Sequence, residues 1–154
     1  MKAVIALPTE QDTIALAQKL KPLITKGDHI FLSGDLGAGK SLFARAVIQS
    51  KMADSGMIED VPSPSFTLVQ TYEFEDFDIW HVDLYRLEYA DLEELGLPEA
   101  MDDAVLIIEW PDRLGDQVIP ALSIDLGFAD AGGRIANVEW TLKKFTKLIA
   151  EYSP

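Results

Sequence analysis

The stretch FLSGDLGAGKSLFARAVIQS, Phe31 to Ser50, constrains this chain more than any other. A short apolar run ends in a glycine-rich loop, and a segment with helical spacing follows at once. Gly34, Gly39, Lys40 and Ser41 satisfy the pattern G-x-x-x-x-G-K-[ST], with Gly37 as an extra glycine inside it. Each residue type has a chemical reason to be there. Glycines let backbone N–H groups turn inward around phosphate oxygens, the lysine reaches the β- and γ-phosphates, and the hydroxyl beside it ligates Mg²⁺. A helix starting at that point aims its positive dipole end at the same anion. The pattern has chance matches, but a strand before it and a helix after it are the context of a phosphate cradle. Gly34, Asp35, Leu36, Gly37, Ala38, Gly39, Lys40, Ser41 and Leu42 are therefore the expected nucleotide contacts.

The base is argued separately. TKGD, Thr25 to Asp28, matches the guanine-reading pattern [NT]-K-x-D, but it precedes the phosphate loop, whereas in GTPases that element follows by most of a domain. Nothing else in the chain reads guanine, so ATP with Mg²⁺ is the expected ligand.

The remaining segments say what surrounds the loop. KAVIAL reads as a strand, and Thr9 with Asp12 forms the N-cap of an amphipathic helix with Ile14, Leu16, Ala17, Leu20 and Leu23 on or near its buried side. The helix after the loop has its apolar spacing in Leu42, Ala46, Val47 and Ile48. SFTLVQTYEF and FDIWHVDLY read as an antiparallel pair joined by an acidic turn. A helical stretch from Arg86 to Asp103 is punctuated by Gly96 and Pro98, and AVLIIEW is the unbroken apolar run of a strand covered on both faces. ALSIDLGF and RIANVEWTL form a terminal hairpin, and KKFTKLIAEYS a closing helix. Strands alternating with helices, with hairpins inserted and appended, specify a three-layer α/β domain whose sheet mixes parallel and antiparallel strands. At 154 residues, with no linker and no internal repeat, residues 1–154 are expected to form a single domain.

A phosphate loop needs an acid to help hold Mg²⁺ and a group to orient the attacking water. Two acids end apolar β runs: Glu109 after VLII and Asp83 after IWHV. Both belong at the carboxyl edge of the sheet, where ligands of open α/β sheets bind. The more buried strand favours Glu109 for the metal, but the choice between them stays open. His81, two residues before Asp83, shares its strand face and is either a phosphate sensor, a general base or a structural histidine. Trp110, beside Glu109, either shields the site or packs; Trp80 and Trp140 pack. The prolines of PSPSFT stiffen a segment whose hydroxyls are placed to contact Mg²⁺ or a γ-phosphate.

Composition excludes several classes. Thirteen Lys plus Arg stand against twenty-six Asp plus Glu, a formal charge of −13. Met52 to Asp112 holds seventeen acids and one base, Arg86. Such a surface repels phosphodiester backbones, so direct capture of nucleic acid is not expected; a basic partner suits it better, although for most of the acids solubility is sufficient reason. With no cysteine there is no disulfide, thiolate nucleophile or Cys-ligated zinc. The apolar runs fall far short of the ~20 residues that span a bilayer, and Pro8 interrupts any signal-like start, so a cytoplasmic address without membrane contact is expected.

GDLGAGKS, SPSFTLVQTY, HVDLYRL, LEELGLPE and VLIIEWPDRL, in that order, resemble the TsaE family, also called YjeE. The likeness runs from about Thr9 to Thr141, and its last three motifs are far more specific than a phosphate loop. The resemblance implies a small bacterial P-loop ATPase of tRNA threonylcarbamoyladenosine synthesis. It implies TsaB and TsaD as partners, contact with tRNA only through their complex, and ATP turnover that lets modification proceed through repeated cycles. TsaD, using the threonylcarbamoyl-adenylate made by TsaC, performs the transfer. Residue by residue it implies nucleotide binding by Lys40, a Mg²⁺-binding hydroxyl at Ser41, a switch-like hydroxyl at Ser65, important acids at Asp83 and Glu109, and an aromatic at Trp110. Many members carry Thr where Ser41 and Ser65 stand; the hydroxyl chemistry is kept.

Two other functions remain open on the residues alone. A small-molecule kinase is one, although kinases of this size usually close an Arg-rich lid, and between Lys51 and Lys143 there are only Arg86, Arg113 and Arg134. A nucleotide-dependent assembly factor with incidental hydrolysis is the other.

Overall fold

The computed structural model describes residues 1–87, 92–115 and 120–152. Seven strands form one sheet: β1 (Lys2–Leu7), β2 (His29–Ser33), β3 (Val69–Tyr72), β4 (Asp78–Asp83), β5 (Ala104–Glu109), β6 (Leu122–Phe128) and β7 (Arg134–Glu139), in the order β1-β7-β6-β2-β5-β4-β3. The centre is parallel, β2 pairing with β5 and β6, and β5 with β4; the flanks β3–β4, β6–β7 and β1–β7 are antiparallel. The mixed α/β sheet expected from the alternation of elements is the one observed.

Period-two alternation divides the core between the faces. On one, Val105 and Ile107 of β5 with Ile30 and Leu32 of β2 pack against helices α1 (Glu10–Leu20), α2 (Lys40–Asp54) and α4 (Thr146–Ala150). On the other, Ala104, Leu106 and Ile108 meet Leu92, Leu97, Ala100 and Leu114. All six residues of β5 are buried, as its unbroken apolar run requires. The second outer layer is thin. It consists of a 3₁₀ turn at Glu93–Leu95, the four-residue helix α3 (Leu97–Ala100) and a 3₁₀ turn at Pro111–Leu114, rather than one long helix. Gly96, at φ 71°, breaks it; residues 88–91 of the expected helical stretch lie outside the described residues.

Local chemistry sets the helix ends. Thr9 caps α1 through a reciprocal box with Asp12, the hydroxyl accepting from Asp12 N and the carboxylate from Thr9 N. The core contributions of α2 differ from expectation at one place: Phe43 and Ala44 are fully buried, whereas Leu42 is half-buried. The apolar stripe is rotated because α2 points its first turn at a cleft. The closing segment is a 3₁₀ turn at Lys143–Phe145 running into α4. TKGD is a surface turn in which Asp28 accepts from Thr25 N and from Lys144, which explains its residues without a nucleotide. Trp140 is buried and Trp80 packs against the second core. No helix among the described residues is long and apolar enough to cross a membrane.

Candidate nucleotide site

Because β2, β5 and β4 are parallel neighbours, their carboxyl ends emerge at one edge of the sheet. Register then brings the sequence-distant acids together: Leu32 pairs with Glu109, and Glu109 with Asp83. The loop that follows β2 opens into a cleft of about 620 Å³. Leu36, Gly37, Ala38, Gly39, Lys40, Ser41, Leu42, Ser65, Asp83, Glu109 and Trp110 all line it. Gly34 and Asp35 do not, but their carbonyls accept from Lys40 Nζ at 2.5 and 2.9 Å.

The loop is built around close backbone approach. A Cβ on Gly34, at φ 133°, would sit 2.3 Å from the carbonyl oxygen of Leu126. Gly34→Ala is therefore expected to destabilise the fold by at least about 2 kcal/mol, roughly 4–8 °C in Tm, which thermal unfolding measures. Gly39, at φ 111°, caps α2 without a side-chain hydrogen bond, so the first-turn N–H groups of α2 have no partner within the helix or from a capping side chain. Such N–H groups are chemically suited to an anion, as the sequence pattern expects.

Opposite the loop lie the acids. Ser41 Oγ donates to Glu109, 3.0 Å from Oε1 and 3.2 Å from Oε2. His81 Nε2 is 2.6 Å from Glu109 Oε2, and both side chains are buried. Asp83, also buried, accepts from Ser65 Oγ at 3.1 Å and from Tyr85 N at 3.0 Å. Ser65 is in turn 2.9 Å from Ser63 Oγ. The PSPSFT segment is tied to β4 by its backbone as well: Leu68, left-handed at φ 67°, receives Asp83 N on its carbonyl and donates to Pro64 O.

Trp110 follows Glu109 in a left-handed conformation at φ 60°, a state that costs a non-glycine residue about 1–3 kcal/mol. The turn swings its indole over the site, 4.3 Å from Lys40 Nζ to the ring centroid and 4.9 Å from the Tyr85 ring. Burial pushes the Lys40 ammonium below the ordinary lysine range, opposed by the charges of Glu109, Asp83, Asp35 and Asp125. One ammonium therefore faces two buried carboxylates.

That balance bears on the metal. The donors gathered here are hydroxyl and carboxylate oxygens, which suit a hard cation. Among the described residues no group of three or more His, Cys, Asp or Glu side chains could hold a metal alone. Mg²⁺ held by few protein ligands together with phosphate oxygens fits such a donor set.

Sequence reasoning missed Arg134. At the start of β7 its guanidinium donates to the carbonyls of Ala38 (3.2 Å) and Gly37 (3.0 Å) and stacks on Phe128. Gly133 makes this possible, because a Cβ there would lie 2.5 Å from Pro8 O and 2.8 Å from Leu7 O. The pair Gly132–Gly133 immediately before an arginine was the available signal. Thr9, Glu10 and Thr13 of the α1 N-terminal turn and Tyr85 also line the cleft without having been singled out as contacts.

A sequence profile described as threonylcarbamoyl adenosine biosynthesis protein TsaE matches residues 7–138. The chain belongs to the TsaE family. Curated TsaE proteins named for tRNA threonylcarbamoyladenosine biosynthesis resemble it closely along its length. The Rickettsia felis protein is 34% identical over 136 residues, 87% of this chain and 78% of that protein. The Aquifex aeolicus TsaE is 35% identical over 109 residues, 71% of this chain and 77% of its own. The crystal structure of YdiB from Bacillus subtilis superposes with a TM-score of 0.76, covering 99% of this chain and 94% of that one; at 23% identity it supports the fold alone. The profile-matched span contains the segments that meet at this edge of the sheet: the glycine loop, the serines of PSPSFT, HVD and IIEW.

Proposed function

We propose that this chain is a Mg²⁺-dependent ATPase of tRNA threonylcarbamoyladenosine biosynthesis that works in the cytoplasm with TsaB and TsaD. In this reading its ATP turnover resets their complex between modification cycles. The observation that carries the reading is the contact of Ser41 with Glu109 across 68 residues of sequence, at the mouth of the glycine loop. It joins the metal hydroxyl of a phosphate loop to an acid at the end of the neighbouring parallel strand, the arrangement P-loop hydrolases use.

Roles follow from the contacts. The N–H groups of the α2 N-terminus and Lys40 Nζ would bind the phosphate chain. Ser41 and Glu109 would hold Mg²⁺, which when bound neutralises charge on the β- and γ-phosphate oxygens. Asp83 and Ser65, linked to each other on the switch-like side, would orient the attacking water. Trp110, in contact with the Tyr85 ring, covers Lys40.

Arginine placement supports hydrolysis with help from a partner. Among the described residues between Lys51 and Lys143, Arg134 alone of the arginines lines the cleft, and its guanidinium is committed to loop carbonyls. Arg86 stacks on Phe66 and Arg113 does not line the cleft, so among the described residues of this span no arginine is placed as a kinase-type lid. A chain of charge −13 leaves tRNA contact to its partners. Phosphate release by the purified chain, with and without TsaB and TsaD, tests this. A large partner-dependent increase is expected; no phosphate in either case rejects hydrolysis in favour of binding alone, and a phosphorylated metabolite in its place identifies a kinase.

A further inference from the structure

The chain has two histidines, both buried, and they are held differently. His29, at the start of β2, accepts from Leu106 N on Nδ1 and so staples the backbones of β2 and β5 at the edge of the sheet remote from the cleft. His81 makes no such contact. Its Nε2 meets Glu109 Oε2 at 2.6 Å, and its Nδ1 is buried with no hydrogen-bond partner among the described residues. The polar reach of His81 is spent on one carboxylate oxygen.

The tautomer follows from that partner. An ionised carboxylate only accepts, so Nε2 carries the proton and donates it, and the buried Nδ1 is left as a bare lone pair. This is the less costly way to bury a histidine with one partner, since an unpaired N–H is avoided.

Glu109 has two donors, and they differ in permanence. Ser41 Oγ touches both carboxylate oxygens, but a serine hydroxyl that ligates a metal offers its lone pair to the cation and can no longer be relied on to fix the carboxylate. His81 approaches Oε2 from β4, on the side away from the loop, in the fixed frame of the β4–β5 pairing. Oε1, which His81 does not touch, is left for the metal's shell. We infer that His81 is a positioning residue that pins Glu109 through Oε2 so that the carboxylate keeps its metal-binding orientation when Ser41 turns to the cation. Partners of this kind typically change metal affinity or activity by 10–100-fold when removed.

This role presupposes the nucleotide site proposed above, and the experiment separates the two. ATP affinity is measured calorimetrically with Mg²⁺ and with a chelator, beside phosphate release, for the wild type, His81→Leu and His81→Gln. Leucine fills the volume without a donor. Glutamine places an N–H near the position of Nε2. His81→Leu is expected to raise the half-saturating Mg²⁺ concentration and to lower turnover roughly tenfold or more, with ATP affinity in chelator unchanged. His81→Gln is expected to stay within about threefold of the wild type on every measure. In a Glu109→Ala background His81→Leu should have no further effect, because a group acting through Glu109 has nothing left to position.

If His81→Leu does not fold by circular dichroism, His81→Asn takes its place, with an amide too short to reach Glu109; it must show the same Mg²⁺ defect. Leucine and glutamine variants that behave alike overturn the inference, as does an equal loss of affinity with and without Mg²⁺. A wild type whose ATP binding is indifferent to Mg²⁺ overturns it too. Wild-type protein that releases no phosphate, with a Mg²⁺ defect confined to His81→Leu, sinks the hydrolase reading and leaves the positioning role standing.

Discussion

Lys40→Ala is expected to abolish turnover and to weaken ATP binding by at least roughly 100-fold, about 3 kcal/mol, in equilibrium titrations. The effect is large because the other cations that line the cleft among the described residues already donate to backbone carbonyls. Arg134 is spent on the carbonyls of Gly37 and Ala38, and Arg45 donates to the carbonyl of Val61. Lys40 itself is held on the carbonyls of Gly34 and Asp35 and under the Trp110 indole, partly stripped of water. An incoming phosphate thus meets a cation whose desolvation has already been met in folding, so little of the attraction is lost to reorganisation. Removing the ammonium leaves Asp83 and Glu109 facing the phosphates without compensation, and the site turns repulsive. Lys40→Arg is not expected to rescue, since a planar guanidinium cannot sit on the same two carbonyls as a compact ammonium. ATP affinity that survives Lys40→Ala would reject the loop as the phosphate cradle.

The fold was largely legible because its signals are local. Period-two and unbroken apolar runs located the strands, and the fully buried β5 was readable from AVLIIE alone. The Thr9–Asp12 box announced α1. Within the candidate site the loop residues were readable for the same reason, as a contiguous pattern. What could not be read was long-range. That Ser65 would meet Asp83 and that His81 would face Glu109 depends on strand order and register, which local sequence does not specify. Arg134 reaches the loop from 96 residues away, through a hairpin whose Gly133 lies against Leu7 and Pro8. The arginine count suggested a site poor in cations, yet one of the three arginines between Lys51 and Lys143 lies in the cleft and serves to shape the loop. The thin outer layer was overestimated as helix because Leu92 and Leu95 are apolar at helical spacing, while the left-handed Gly96 after them stops the run.

Glu109→Ala is expected to separate chemistry from binding. Turnover should fall by about 10²–10³-fold, while ATP affinity measured in chelator stays the same or rises. The sign of the second effect is set by charge. Without the metal, Glu109 is a buried anion beside the phosphate site, and deleting it removes repulsion from a pocket that otherwise holds Lys40 against two carboxylates. With Mg²⁺ present the carboxylate becomes a partner of the cation, so the loss appears in the Mg²⁺-linked part of affinity and in the rate. Glu109→Gln is the milder test. Its amide oxygen can still accept from Ser41, and His81 can change tautomer to accept from the amide N–H, so the fold is undisturbed while the charge is gone. If both variants turn over ATP at the wild-type rate, the acid that serves the reaction is Asp83, bound to Ser65 on the switch-like side. If Glu109→Ala abolishes hydrolysis but still supports tRNA modification at the normal rate, nucleotide binding is the function and hydrolysis incidental. Loss of sustained modification in step with the loss of phosphate release is the outcome expected of a resetting ATPase.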